Sequence, residues 1–106
     1  MAISNAQTVE ALEELRSKLG AIDELLLDQL RQRLECCVQI AQVKKSHGVP
    51  MMQPHRIGIA QDRAAQYGRA HGISQDFLRG LYDLIIAETC RLEDLVIGKR
   101  PQAAAS

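Results

Sequence analysis

Between Leu12 and Lys45 the chain carries no proline, and its apolar residues return every three or four positions: Leu12, Leu15, Leu19, Ile22, Leu26, Leu30, Leu34, Val38 and Ala41. That spacing lays a single apolar stripe along one continuous helix. Gly20 is its weak position, at a cost of roughly 1 kcal/mol that so long a helix tolerates. At about 1.5 Å per residue the helix would run on the order of 50 Å, well beyond the diameter of a compact globule of 106 residues. Its own chain cannot cover it. Length and stripe together imply self-association, most simply a two-fold homodimer.

Upstream, the first ten or so residues are small and polar, and Thr8 is placed to cap the long helix. Downstream, Ser46-His47-Gly48-Val49-Pro50 is a stop signal, with Val49 pushed toward extended geometry by the proline that follows it. Pro54 suits the first turn of a second helix, which runs from His55 to about His71 and carries Ile57, Ile59, Ala60, Ala64, Ala65 and Tyr67. Gly72 closes that helix, and Ser74 caps a third through about Ile97, with Leu78, Leu81, Ile85, Thr89, Leu92 and Val96 as its stripe. The remaining GKRPQAAAS has no periodic apolar face and is expected to be disordered. No repeat and no strand-like alternation occurs. The reading is an all-α, three-helix chain with one very long N-terminal helix, a single domain over residues 1–106, ordered from about 10 to 97.

Charge and composition then exclude several classes. Thirteen Lys plus Arg balance thirteen Asp plus Glu, so no global basic field exists to drive nucleic-acid binding. One Phe, two Tyr and no Trp are poor material for stacking bases. No stretch approaches the eighteen or so apolar residues of a membrane span, and no secretory leader is evident. Cys36, Cys37 and Cys90 lie in helical stretches without CxxC spacing, which suits a reducing cytoplasm. Neither a nucleic-acid partner nor a membrane is expected.

The residues that interrupt the apolar stripes carry the chemistry. Arg33 follows Leu30 by three positions and precedes Cys37 by four, and Lys44 comes eleven residues later, which is three helical turns, so the two cations share a face. Such pairs commonly snorkel to solvent; the functional reading is a pocket for a small dianion. Glu93, four residues beyond Thr89, borders the third stripe. On most helices it would simply be solvated, but a carboxyl in an apolar pocket has its pKa raised and can donate a hydrogen bond as the neutral acid. His47, His55 and His71 lack metal-ligand spacing, so no metal is assigned. The cysteines read as core filler, because no His is spaced to form a dyad with them.

Taken together, Leu15-Arg16 with Ile22-Asp23, Leu26 through Arg33, Lys44, Arg56 after the proline loop, and LYDLIIAET leading to Glu93 resemble the all-α (type II) chorismate mutase family over essentially residues 10–97. The resemblance implies an intertwined homodimer with two equivalent active sites, a small dicarboxylate substrate and no cofactor. It also implies roles. Arg16 would reach across from the partner subunit to a substrate carboxylate, Arg33 would grip the other carboxylate region, and Lys44 would approach the ether oxygen of the breaking bond. Arg56 matches a further site arginine, Thr89 a hydroxyl position near a carboxylate, and Glu93 a place where relatives carry Gln or Glu donating to the ether oxygen.

The chain departs from that pattern at Gln53-Pro54-His55-Arg56-Ile57. Housekeeping members carry an acidic residue there and, four positions on, Arg-Glu, whose carboxylates hold the ring hydroxyl at C4. Ile57 removes an acceptor from that end of the pocket. With the stretches Val49 to Arg56 and Glu88 to Asp94, this resembles the subgroup that rearranges 4-amino-4-deoxychorismate in antibiotic pathways leading to p-aminophenylalanine, with Gln53 and Ile57 as selectivity positions. The alternatives are conversion of chorismate to prephenate, cleavage of pyruvate from isochorismate, a non-catalytic helical dimer that binds a metabolite, and a coiled-coil interaction module. The stripe's helical rather than heptad spacing counts against the last.

Overall fold

In the computed structural model, residues 5–50 and 54–97 are described. They form three α-helices and no strand: α1 (Asn5–His47), α2 (Pro54–His71) and α3 (Gln75–Ile97). No described helix is long and apolar enough to cross a membrane. The unbroken first helix and the three-helix order agree with the apolar periodicity. One expectation is corrected: Thr8 is not a cap, because α1 is already helical at Asn5. Ala6 and Gln7 are good helix formers and nothing before Thr8 interrupts them, so propensity carries the helix back past the small polar residues. The segment after Ile97 lies outside the described residues.

Both interhelical stops use the same device. At the end of α1, Gly48 takes φ +68° and the Val49 N–H donates to the Lys44 carbonyl at 2.9 Å. At the end of α2, Gly72 takes φ +72° and the Ile73 N–H donates to the Gly68 carbonyl at 2.9 Å. A left-handed residue followed by this back-bond is the Schellman arrangement, and only glycine enters it without a Cβ penalty. Ser74 then caps α3, its Oγ accepting from the Phe77 N–H at 3.1 Å. His47 Nδ1 lies 2.9 Å from the Val43 carbonyl, so its proton sits on Nδ1 and one more C-terminal carbonyl is satisfied.

The described residues fall into two compact units, one ending at Arg33 and one beginning at Leu34. The first is the N-terminal stretch of α1. Its stripe is bare: Leu15, Leu19, Ile22 and Leu26 are 49% to 63% exposed. The second unit contains the end of α1 with α2 and α3. There Leu34 and Val38 are half-buried, and Ala41 is buried.

Within this second unit α2 and α3 pack as an antiparallel pair. Small residues let them approach, since Ala64, Ala65 and Gly68 on α2 are buried, while Leu78, Leu81, Ile85 and Leu92 line α3 half-buried. Polar side chains also bridge the helices. Gln61 Nε2 donates to Asp83 Oδ1, and Arg79 lies 3.1 Å from Asp62. The ion pair is solvent-facing and contributes at most about 1 kcal/mol.

Gly68 is where the packing is tightest. A Cβ there would sit 2.6 Å from the Ile73 carbonyl oxygen and 2.9 Å from Leu78 Cδ1. Replacing a helical glycine with alanine ordinarily stabilises, but here the overlap with backbone reverses the sign. Gly68→Ala is expected to cost about 1–3 kcal/mol, read as a fall in thermal midpoint at fixed protein concentration. An unchanged or raised midpoint would mean that the α2–α3 turn is looser than this.

Candidate active site

The expected site residues lie on all three helices. Arg16 belongs to the first unit; its side chain is 68% exposed and its guanidinium stands 3.6 Å from Glu13. Arg33, seventeen residues further along α1, is half-buried. That separation is about 25 Å along a helix axis, so Arg16 and Arg33 of one chain do not meet on one small molecule. Near Arg33, Arg31 is engaged by Asp28 at 2.6 Å. Hydrogen bonds from Arg31 and then from Gln32, with the guanidinium's charge, hold the Asp28 carboxyl below its ordinary range.

In the second unit Lys44 is half-buried in the last turn of α1. Arg56 is exposed and Ile57 half-buried at the start of α2. Thr89 and Glu93 are half-buried one turn apart on α3, and so on one face. The Thr89 Oγ1 donates to the Ile85 carbonyl at 2.8 Å, which leaves its lone pairs able to accept. Gln53 lies outside the described residues.

The α2–α3 register places these groups relative to one another. Gln61 meets Asp83 and Asp62 meets Arg79. Each step toward the start of α2 is matched by a step toward the end of α3, so four to six residues further on Arg56 and Ile57 come alongside residues 84–88. Ile57, half-buried, therefore lies alongside the stretch of α3 just before Thr89, with Glu93 a further turn beyond. Among the described residues, no cluster of His, Cys, Asp and Glu is arranged to hold a metal ion. Lys44, Arg56, Thr89 and Glu93, all in the second unit, supply cations, a hydroxyl and a carboxyl, group types that can bind carboxylates and stabilise charge developing on an oxygen.

On the exposed side of α3, Glu88 and Arg91 form a two-pronged pair at 2.7 Å for each contact. The hydrogen bonds from Arg91 hold the Glu88 carboxyl below its ordinary range, and those same bonds raise the Arg91 guanidinium. The pair's small contribution to stability is therefore present above the ordinary carboxylate pKa and lost as pH falls through the lowered one. The bridging residues Gln61, Asp62, Arg79 and Asp83 were not singled out by the sequence, because contacts 17 and 22 positions apart leave no local periodic signal.

Residues 15–94 match the family described as chorismate mutase type II. A 4-amino-4-deoxychorismate mutase from Streptomyces venezuelae is 50% identical over 88% of this chain and 90% of its own length. Another of that name from Streptomyces pristinaespiralis is 53% identical over 84% of this chain and 69% of its own length. A chorismate mutase from Methanocaldococcus jannaschii is 24% identical over 80% of this chain and 86% of its own. No solved structure matches the chain. With a family match that spans three quarters or so of the sequence, the chain belongs to the chorismate mutase type II family.

Proposed function

We propose that the chain catalyses the Claisen rearrangement of 4-amino-4-deoxychorismate to 4-amino-4-deoxyprephenate, a step of p-aminophenylalanine-type antibiotic biosynthesis. The observation that carries this reading is the contrast in identity: 50% and 53% to the two proteins named 4-amino-4-deoxychorismate mutase, against 24% to one named chorismate mutase. Ile57 supports it from the chain itself, since an apolar side chain stands where a housekeeping mutase would offer a carboxylate to the C4 hydroxyl.

The rearrangement is unimolecular: the ether C–O bond breaks, a C–C bond forms, and no proton or electron leaves the substrate. The enzyme's work is to hold the enolpyruvyl arm over the ring and to stabilise charge. Arg33, Arg56 and the partner's arginine at position 16 hold the carboxylates by charge-assisted bonds. As the C–O bond stretches, negative charge grows on the ether oxygen, so donors from Lys44 and a protonated Glu93 stabilise the transition state more than the ground state. Thr89, Gln53 and Ile57 shape the walls.

A homodimer is part of the proposal. The bare stripe from Leu15 to Leu26 is the face a second copy would cover, and a partner's Arg16 is the means by which an arginine about 25 Å away along α1 can serve the same site as Arg33. The chain acts as one domain within that dimer. A cytoplasmic location is part of the same proposal, and the free thiols of Cys36, Cys37 and Cys90 support it.

If Glu93 donates as the acid, kcat declines as pH rises through its titration, and Glu93→Gln, a donor at every pH, flattens the profile. A wild-type profile as flat as that of the glutamine variant would assign the donor elsewhere. The reading as a whole is tested by incubating the purified protein with 4-amino-4-deoxychorismate and identifying the product by mass and absorbance. The rearranged isomer is expected; free pyruvate would instead mark a lyase, and tight binding without conversion a metabolite-binding dimer.

A further inference from the structure

The mutase reading leaves unexplained what fixes the distance between the first turn of α2 and the face of α3 that it borders. At the turn end the two helices are locked by the Gly72 reversal and by the close approach at Gly68. At the other end Arg56 is exposed, and residues 56–60 offer only half-buried or exposed side chains such as Ile57, Ile59 and Ala60 to hold the helix down. Between these ends stand the two polar bridges. Asp62–Arg79 is the one nearer the turn on α3, and its members are 65% and 45% exposed. Gln61–Asp83 lies one turn further along α3 toward Thr89.

Gln61 follows Ile57 by one helical turn and so shares its face. Asp83 precedes Thr89 by six residues, about 9 Å along the axis. We propose that the Gln61–Asp83 hydrogen bond is a positioning contact that sets how closely Arg56 and Ile57 approach the Thr89 and Glu93 face, and thereby tunes substrate binding. The proposal rests on the mutase reading for its ligand but not for its geometry. Neither residue touches the reacting atoms; both act through Arg56 and Ile57. Small misplacements of a carboxylate-binding arginine weaken binding disproportionately, because a charge-assisted bond depends steeply on its geometry.

The test uses the full-length protein and the variants Gln61→Ala, Asp83→Ala, Asp83→Asn and Arg79→Ala. With 4-amino-4-deoxychorismate, Gln61→Ala and Asp83→Ala are expected to raise KM about three- to tenfold with kcat within about twofold, and the double variant to be no worse than either single one. Asp83→Asn, whose side-chain carbonyl still accepts from Gln61 Nε2, restores the wild-type KM. Arg79→Ala, which opens the other bridge, leaves KM in place. Unchanged KM in both alanine variants of an active enzyme overturns the proposal, as does an equal effect from Arg79→Ala.

A second readout needs no substrate. Amide exchange at residues 58–60 rises about tenfold in Asp83→Ala and stays at the wild-type rate in Asp83→Asn. Exchange unchanged by Asp83→Ala overturns the clamp whatever the enzyme's substrate. Wild-type protein that does not turn over the substrate overturns the mutase reading alone, and the exchange experiment then decides the clamp.

Discussion

Lys44→Ala lowers kcat by about 10²–10³-fold while the protein keeps its helicity and its dimeric state. That magnitude is what removal of one preorganised donor to a developing oxyanion costs in other enzymes. The site argues for the upper part of the range, since Lys44 is half-buried and a cation partly shielded from water acts through a lower effective dielectric. KM changes far less than kcat, because the charge that Lys44 meets develops only as the C–O bond stretches. Stopped assays over a substrate series, with light scattering on the same samples, read both quantities. Turnover within about threefold of wild type would remove Lys44 from the account, and a loss confined to KM would make it a ground-state binding residue.

Leu26→Lys converts the protein to a poorly helical monomer with no measurable turnover. Leu26 is 63% exposed in the isolated chain, so its substitution should be harmless if nothing covers it. If a second copy does, each protomer forfeits about 1.5–3 kcal/mol of apolar burial and must bury an unpaired ammonium besides, which costs several kcal/mol more. Light scattering with circular dichroism reads the outcome; a folded, active Leu26→Lys protein would contradict the dimer. Because a variant that fails to assemble loses activity for any reason, a second experiment addresses the shared site directly. Arg16→Ala and Lys44→Ala, each nearly inactive alone, are mixed and allowed to exchange subunits. Half of the dimers are then mixed, each with one intact site, and activity returns to about a quarter of wild type. No recovery would place Arg16 and Lys44 of the same chain in one site.

Much of this molecule is legible in its sequence. The three- and four-residue spacing from Leu12 to Ala41 marks α1, and Gly48 and Gly72 mark its end and that of α2, since in each case the signal is local and the backbone conformation follows from a single residue type. Ser74 was readable as a cap for the same reason. Thr8 was not, because a cap competes with helix propensity on its upstream side and Asn5-Ala6-Gln7 continue the helix. For the site, the polar breaks in the stripes drew out Arg33, Lys44 and Glu93. The α2–α3 register, which brings Arg56 and Ile57 alongside residues 84–88, was illegible, because Gln61–Asp83 and Asp62–Arg79 join positions with no periodic relation. The requirement for glycine at position 68 was hidden likewise, since a mid-helix glycine reads as a weakness until the Ile73 carbonyl is placed against it.

The central claim is that the pocket is built for an amino rather than a hydroxyl substituent at C4, and its most direct test is the ratio of kcat/KM for 4-amino-4-deoxychorismate to that for chorismate, measured side by side on one preparation of the dimer. A ratio of about ten or more is expected, the discrimination that one altered polar contact at C4 supplies. A ratio below one would contradict the account and make the chain a prephenate-forming enzyme in which Ile57 does not govern selectivity.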